Sequence, residues 1–205
     1  MTEVVVAHYN ENLDWLKNIN CPIHVYSKGE LATIPYIQHT LPNVGREAHT
    51  YLTYIIERYD TLPEIVFFTQ GRIDDHVKEK NIRQFLSLKS TQYHSNNVSR
   101  LKPFLKVYDK EMRIINCVPS LYKSELNAYD WFKKYVNSEM DLNSNNPISI
   151  FWFAIFSVRR EAILSRPKEY YEMLLETCNK NSNPEEAHYF ERSWYYIFQL
   201  DKFNK

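Results

Sequence analysis

The chain has almost no glycine: three in 205 residues, at Gly29, Gly45 and Gly71. No GxGxxG or GxxxxGK[ST] can be built from glycines so far apart, which excludes the dinucleotide fingerprint and the P-loop. Cysteine is equally sparse. Cys21, Cys117 and Cys178 are odd in number and widely separated, with no CxxC and no Cys/His zinc spacing. They read as reduced thiols of a cytoplasmic protein. Net charge is missing too, because Lys plus Arg and Asp plus Glu both number 25. This excludes a broad basic surface for nucleic acid and a polybasic membrane patch, but it leaves room for a local phosphate pocket. The most apolar run, 148–158, is too short to span a bilayer and reads as a buried strand.

Aromatic residues are abundant, with 16 Tyr, 11 Phe and 4 Trp. The length suits one domain over 1–205 with a substantial core. Residues 4–9 form a short apolar run and predict a first buried, parallel strand. Asn12 is placed to cap a short helix through Leu16. Residues 22–26 predict a second strand, closed by Ser27-Lys28-Gly29. Ala48, Tyr51, Leu52, Ile55, Ile56 and Tyr59 lie on one helical stripe, so 45–59 is the clearest helix. Residues 65–68 make the next strand. This rhythm predicts an α/β fold, a mixed, mostly parallel, Rossmann-like sheet flanked by helices. Further along, 77–88, 124–136, 167–178 and 183–198 read as helices. Residues 106–115 hold short strands, 149–158 a central strand, and 90–102 and 141–147 loops.

In such a sheet, ligands sit beyond the carboxyl ends of the strands. Those ends carry His8-Tyr9-Asn10, Ser27-Lys28-Gly29 and Thr69-Gln70-Gly71, with Asp74-Asp75-His76 close behind. Asp74 and Asp75 allow two readings. They suit the first turn of a helix near Val77. They also suit Mn²⁺ or Mg²⁺, hard cations that take carboxylate oxygens alongside substrate phosphates. Asn43-Val44-Gly45-Arg46-Glu47 opens the strong helix, whose N-terminus and Arg46 suit phosphate; a solvated first turn with Arg46 paired to Glu47 or elsewhere is the alternative. Asn183-Pro184-Glu185-Glu186 reads as a capping box, which gives Glu186 a structural task. Glu191 lies on the flank of the last helix's apolar stripe, beside Trp194. A half-buried carboxylate there is a candidate base, and an ion pair is its alternative.

Val5-Val6-Ala7-His8-Tyr9-Asn10-Glu11, Val25-Tyr26-Ser27-Lys28-Gly29, Asn43-Val44-Gly45-Arg46-Glu47-Ala48-His49-Thr50-Tyr51-Leu52 and Phe68-Thr69-Gln70-Gly71 resemble the DUF3431 family. Residues 165–171 and 191–198 fit the same pattern, so the resemblance spans most of the chain. The layout is also similar to GT-A glycosyltransferases, in particular a rhamnosyltransferase-type domain with which large algal viruses build capsid glycans. That resemblance implies a glycosyltransferase moving a hexose from a UDP-sugar donor to a glycan or glycoprotein acceptor. By position, His8, Tyr9 and Lys28 face the nucleotide, with Asn10, Arg46 and Gln70 beside them. Asp75 with Asp74 faces the metal and diphosphate. Ile73-Asp74-Asp75 departs from a true DxD, so either aspartate is the candidate ligand. Glu191 is the candidate base, and Asp74 is also a catalytic candidate. The implied setting is cytoplasmic (host cytoplasm if viral), with no membrane span. The rival functions are a nucleotide-sugar or glycan binding module without catalysis, and a carboxylate-dependent glycoside hydrolase.

Overall fold

The computed structural model describes residues 1–31, 33–73, 98–100, 111, 113, 120–139, 147–149 and 151–202. Its centre is a five-stranded sheet in the order β3-β2-β1-β4-β7. The strands are β1 (Thr2–His8), β2 (Ile23–Ser27), β3 (Ile37–Thr40), β4 (Ile65–Gln70) and β7 (Phe156–Arg159). The first four run parallel, and β7 joins β4 antiparallel. A separate antiparallel pair joins β5 (Val98–Arg100) to β6 (Pro147–Ser149). The helices are α1 (Arg46–Arg58), α2 (Ala128–Tyr135), α3 (Arg160–Ile163), α4 (Lys168–Glu176) and α5 (Glu185–Ile197). This is the α/β, mostly parallel mixed sheet flanked by helices that the strand–helix rhythm predicts.

The two-residue period of β1 and β4 divides the core. Val5 and Phe68 face the helical side, where Tyr51, Ile55, Phe156, Phe190 and Trp194 are buried with them. Val4, Val6 and Phe67 face the other side with Leu13, Leu16 and Val25. Because both faces are covered, β1 is apolar at successive positions rather than alternating. Tyr51 is central on the helical side. Its ring centroid lies 4.7 Å from Phe68 and 6.0 Å from Trp194. Its hydroxyl donates to the Ala154 carbonyl at 2.9 Å. On α2, Asn127 Oδ1 accepts the Asp130 N–H at 2.9 Å, a side-chain N-cap. Asn127→Ala removes it, and the expected loss is about 1 kcal/mol by urea denaturation. A loss indistinguishable from zero would show that the cap is redundant.

Several expectations change. The run 149–158 is not one central strand. β6 ends at Ser149, a 3₁₀ turn covers Trp152–Ala154, and β7 lies at the sheet edge. Phe153 and Ala154 adopt left-handed backbone, with φ of 63° and 53°. The run is apolar because Phe151, Ala154 and Phe156 enter one core cluster around this reversal and Ile155 enters the other. Asn183 does not cap α5. Pro184 precedes the helix without a side-chain cap, and Asn183 Oδ1 instead meets Arg46 Nη1 at 3.4 Å and His188 Nε2 at 3.0 Å. β3 was not foreseen from sequence, since its residues are polar or exposed. Within the loop expected at 90–102, Val98–Arg100 is a strand. Asp74, Asp75, His76, the helix at 77–88, the rest of the 90–102 loop and 141–146 lie outside the described residues. So do most of 106–115 and Cys117. No helix among the described residues is long and apolar enough to cross a membrane.

Candidate functional site

The chain builds β1, then β2 and β3 to one side of it, then crosses to place β4 on the other. The strand order therefore reverses between β1 and β4. Connections leave in opposite directions there, which opens a crevice at the carboxyl ends of the strands. A crevice of about 280 Å³ lies at that point. Ala7, His8 and Tyr9 line it from the end of β1, Gln70 from the end of β4, and Lys28 just after β2. Arg46 and Glu47 reach it from the first turn of α1, Ser182 from the segment before α5.

His8 is 3% exposed, and its ring is fixed at both nitrogens. Nδ1 lies 3.0 Å from Ser27 Oγ and Nε2 lies 3.2 Å from the Glu11 carbonyl oxygen. Tyr9, by contrast, is 49% exposed and presents its ring at the rim. Glu11 Oε2 accepts the Tyr9 N–H at 2.7 Å, which turns its carboxylate back toward the crevice it lines. Lys28 Nζ donates to the carbonyls of Val44 and Arg46. Burial pulls the Lys28 ammonium down to about 8, still mostly charged at neutral pH. Arg46 lies 3.5 Å from Glu47. Burial, and then the nearby Lys28 charge, push His49 down to about 4. Burial and the Arg46 charge do the same to His188. Lys28 and Arg46 therefore bring the positive charge here, with neutral imidazoles behind them.

Backbone irregularity gathers around this crevice. Arg46, which lines it, has φ of 48°. Gln70 Nε2 donates to the carbonyl of left-handed Phe153. Such conformations cost of order 1–3 kcal/mol each and persist where the surroundings over-determine them. All three glycines adjoin the same place. A Cβ on Gly29 would lie 2.1 Å from the Tyr9 carbonyl oxygen, so only glycine lets the loops after β1 and β2 approach this closely. Gly45 has φ of 61° and donates its N–H to the Asn181 carbonyl at 2.7 Å. Gly71 leaves room for the Glu11 carboxylate, 2.7 Å from where a Cβ would stand.

The structure thus brings His8, Tyr9, Lys28, Arg46 and Gln70 together. Asn10 stands behind them, where its Oδ1 accepts the Glu30 N–H at 2.9 Å. Glu191 is not part of the crevice lining. Its Oε1 accepts the Phe153 N–H at 2.8 Å, and its Oε2 accepts from Arg192. It reaches the site through Phe153 and Gln70, and the ion-pair alternative describes it. Glu11, Glu47 and Ser182 were missed from sequence. Glu11 sits in a post-strand turn like any other, and Ser182 arrives by a contact across most of the chain. The Gly71 position was the one available signal for Glu11, since a scarce glycine marks a place where something approaches closely.

No cluster of three or more His, Cys, Asp or Glu side chains suited to a metal ion occurs among the described residues. Ile73, buried in the core beyond Gly71, is the last described residue before Asp74 and Asp75. No curated protein matches the chain. A family model described as "Protein of unknown function (DUF3431)" matches residues 4–204, and the chain belongs to that family.

Proposed function

We propose that the protein is a glycosyltransferase of GT-A type that transfers a hexose, such as rhamnose, from a UDP-sugar to a glycan acceptor. The carrying observation is the crevice at the strand-order reversal, with Lys28 and Arg46 at its wall and an exposed aromatic ring, Tyr9, at its rim. Cations in a partly buried crevice bind a diphosphate through charge-assisted hydrogen bonds. Their larger effect comes as negative charge grows on the departing diphosphate. Tyr9 offers a face for the base or the sugar. Asp74 and Asp75 are the residues that would hold Mn²⁺ or Mg²⁺, which would supply further positive charge against the diphosphate. Glu11 replaces Glu191 as the candidate base, because Glu11 lines the crevice while both oxygens of Glu191 are engaged. In the transfer, the acceptor oxygen bonds to the anomeric carbon and the bond to the diphosphate oxygen breaks. The acceptor proton passes to the Glu11 carboxylate, and Glu191 positions Phe153 and, through it, Gln70.

Calorimetry against a panel of UDP-sugars, with and without Mn²⁺, tests the reading. Binding of at least one is expected, weakened about tenfold or more in Lys28→Met, the loss of one charge-assisted contact. Binding of none, in either condition, overturns it. Product formation with a glycan acceptor separates transfer from a binding module and from a hydrolase. The Lys28 ammonium also sets a pH dependence. Its proton leaves as pH rises through about 8. Affinity for the anionic donor should then fall by up to about tenfold per pH unit above that point. Lys28→Met should show no such fall.

A further inference from the structure

We propose that a second cavity, of about 260 Å³ and set against the start of α5, binds a small oxyanion such as a phosphate group. Its walls carry Lys123, Lys134, Lys180, Trp131, Glu125 and Glu186. Three lysines line one small space, against the two glutamates Glu125 and Glu186, in a chain whose total charge is balanced. Lys134 is held with its Nζ 5.0 Å from the centre of the Tyr135 ring.

The second observation is an orphan donor. Trp131 is 1% exposed and its Nε1–H has no acceptor. Buried polar groups without partners are rare, and each marks either a cost the fold bears or a ligand that belongs there. Trp194 also has an unpartnered indole N–H. Its ring, however, is enclosed by Tyr51, Phe156, Phe190 and Phe198 and does not line this cavity. Trp131 differs because it lines an open space. An anion there would pair with the lysines and, on a small shift of the buried ring, accept from the indole.

Glu125 and Glu186 oppose an anion here, and the three lysines outnumber them. Burial raises the pKa of Glu186, against hydrogen bonds from Ser124 and from its own backbone N–H. Pro184 and Glu186 also place the N-terminal end of the thirteen-residue helix α5 at the cavity wall, with its positive dipole end. Asn181 lines this cavity while Ser182 lines the crevice, so one segment separates the two.

Two-dimensional ¹H–¹⁵N spectra give a direct test, because the chain has only 4 Trp and hence few indole signals. Trp131→Phe identifies the Trp131 signal. On titration with inorganic phosphate at constant ionic strength, that signal should move saturably while that of Trp194 stays still. The double variant Lys123→Ala/Lys180→Ala should bind at least about tenfold more weakly. Lys28→Ala, which removes the crevice cation, should leave the Trp131 response intact. This keeps the result separate from the fate of the glycosyltransferase reading. Glucose 6-phosphate in a parallel titration tells whether the anion is free or carried on a sugar, and either order of affinity supports the site. A motionless Trp131 signal, an equal response to chloride, or undiminished affinity in the lysine double variant overturns it.

Discussion

Gly45→Val should cost roughly 2–5 kcal/mol and lower the melting temperature by about 10 °C. Two penalties add. The position has φ of 61°, where a β-branched side chain strains its own backbone. The new Cβ would also stand 2.4 Å from the Cys178 carbonyl oxygen and 2.7 Å from His49 Cβ. Neither neighbour is the loose end of a flexible side chain. Relief therefore requires moving α1 away from the segment that follows α4, and with it the Gly45 N–H bond to Asn181. Gly71→Ala is the informative contrast. Its nearest obstacle is the Glu11 carboxylate, which can swing aside. Stability should change by less than about 1 kcal/mol, while donor affinity changes because Glu11 is pushed into the crevice. Calorimetric melting of both variants checks the pair, and equal melting temperatures would sink the argument.

The second large effect is acid unfolding below neutral pH. His49 is buried and His188 half-buried, each beside a cation, and each folded-state pKa lies near 4, against 6.5 for an unperturbed ring. Burial also lowers His24, against the opposing charge of Glu3. A histidine whose folded pKa is depressed binds a proton more readily when unfolded. Its contribution is therefore complete above about pH 6.5 and is lost as pH falls toward about 4. At 1.36 kcal/mol per unit, His49 and His188 lose about 2–3 kcal/mol each by pH 4. Together that approaches the total stability of many domains, which is about 5–15 kcal/mol. Urea midpoints measured from pH 7.5 to 4 should fall steeply, most of all below 6. His49→Gln and His188→Gln should each flatten part of the curve. Midpoints independent of pH over that range would falsify the assignment.

Much of the frame was legible because its signals are local. The stripe from Ala48 to Ile55 needs only helical spacing, and Val4-Val5-Val6 needs only burial on both faces of a sheet. The crevice was legible in part for a geometric reason. Parallel strands all end on one side, so residues following them converge whatever lies between, and His8, Lys28 and Gln70 do so. Where tertiary contacts decide, sequence was silent or misleading. β3 borrows its order from β2, since its own residues show no alternation. The apolar run before β7 hides a reversal because core packing rewards either path. Glu191 stayed open between a base and an ion-pair partner because nothing in the sequence announced that Phe153 would turn its N–H toward it.

The bond from Arg46 to Asn183 joins residues 137 positions apart. Tyr51 and Ala154, packed behind it, are 103 apart. Closing loops of that size costs entropy before any contact repays it. Most of the crevice wall is made early in synthesis, by β1, β2, α1 and β4, and Ser182 comes with the segment leading into α5. A chain still missing that segment presents the strand ends without Ser182 and without the Asn183 contact that holds Arg46. On the function proposed above, the donor should bind fully only once that segment docks on α1, which makes ligand-dependent protection from proteolysis a gauge of that docking.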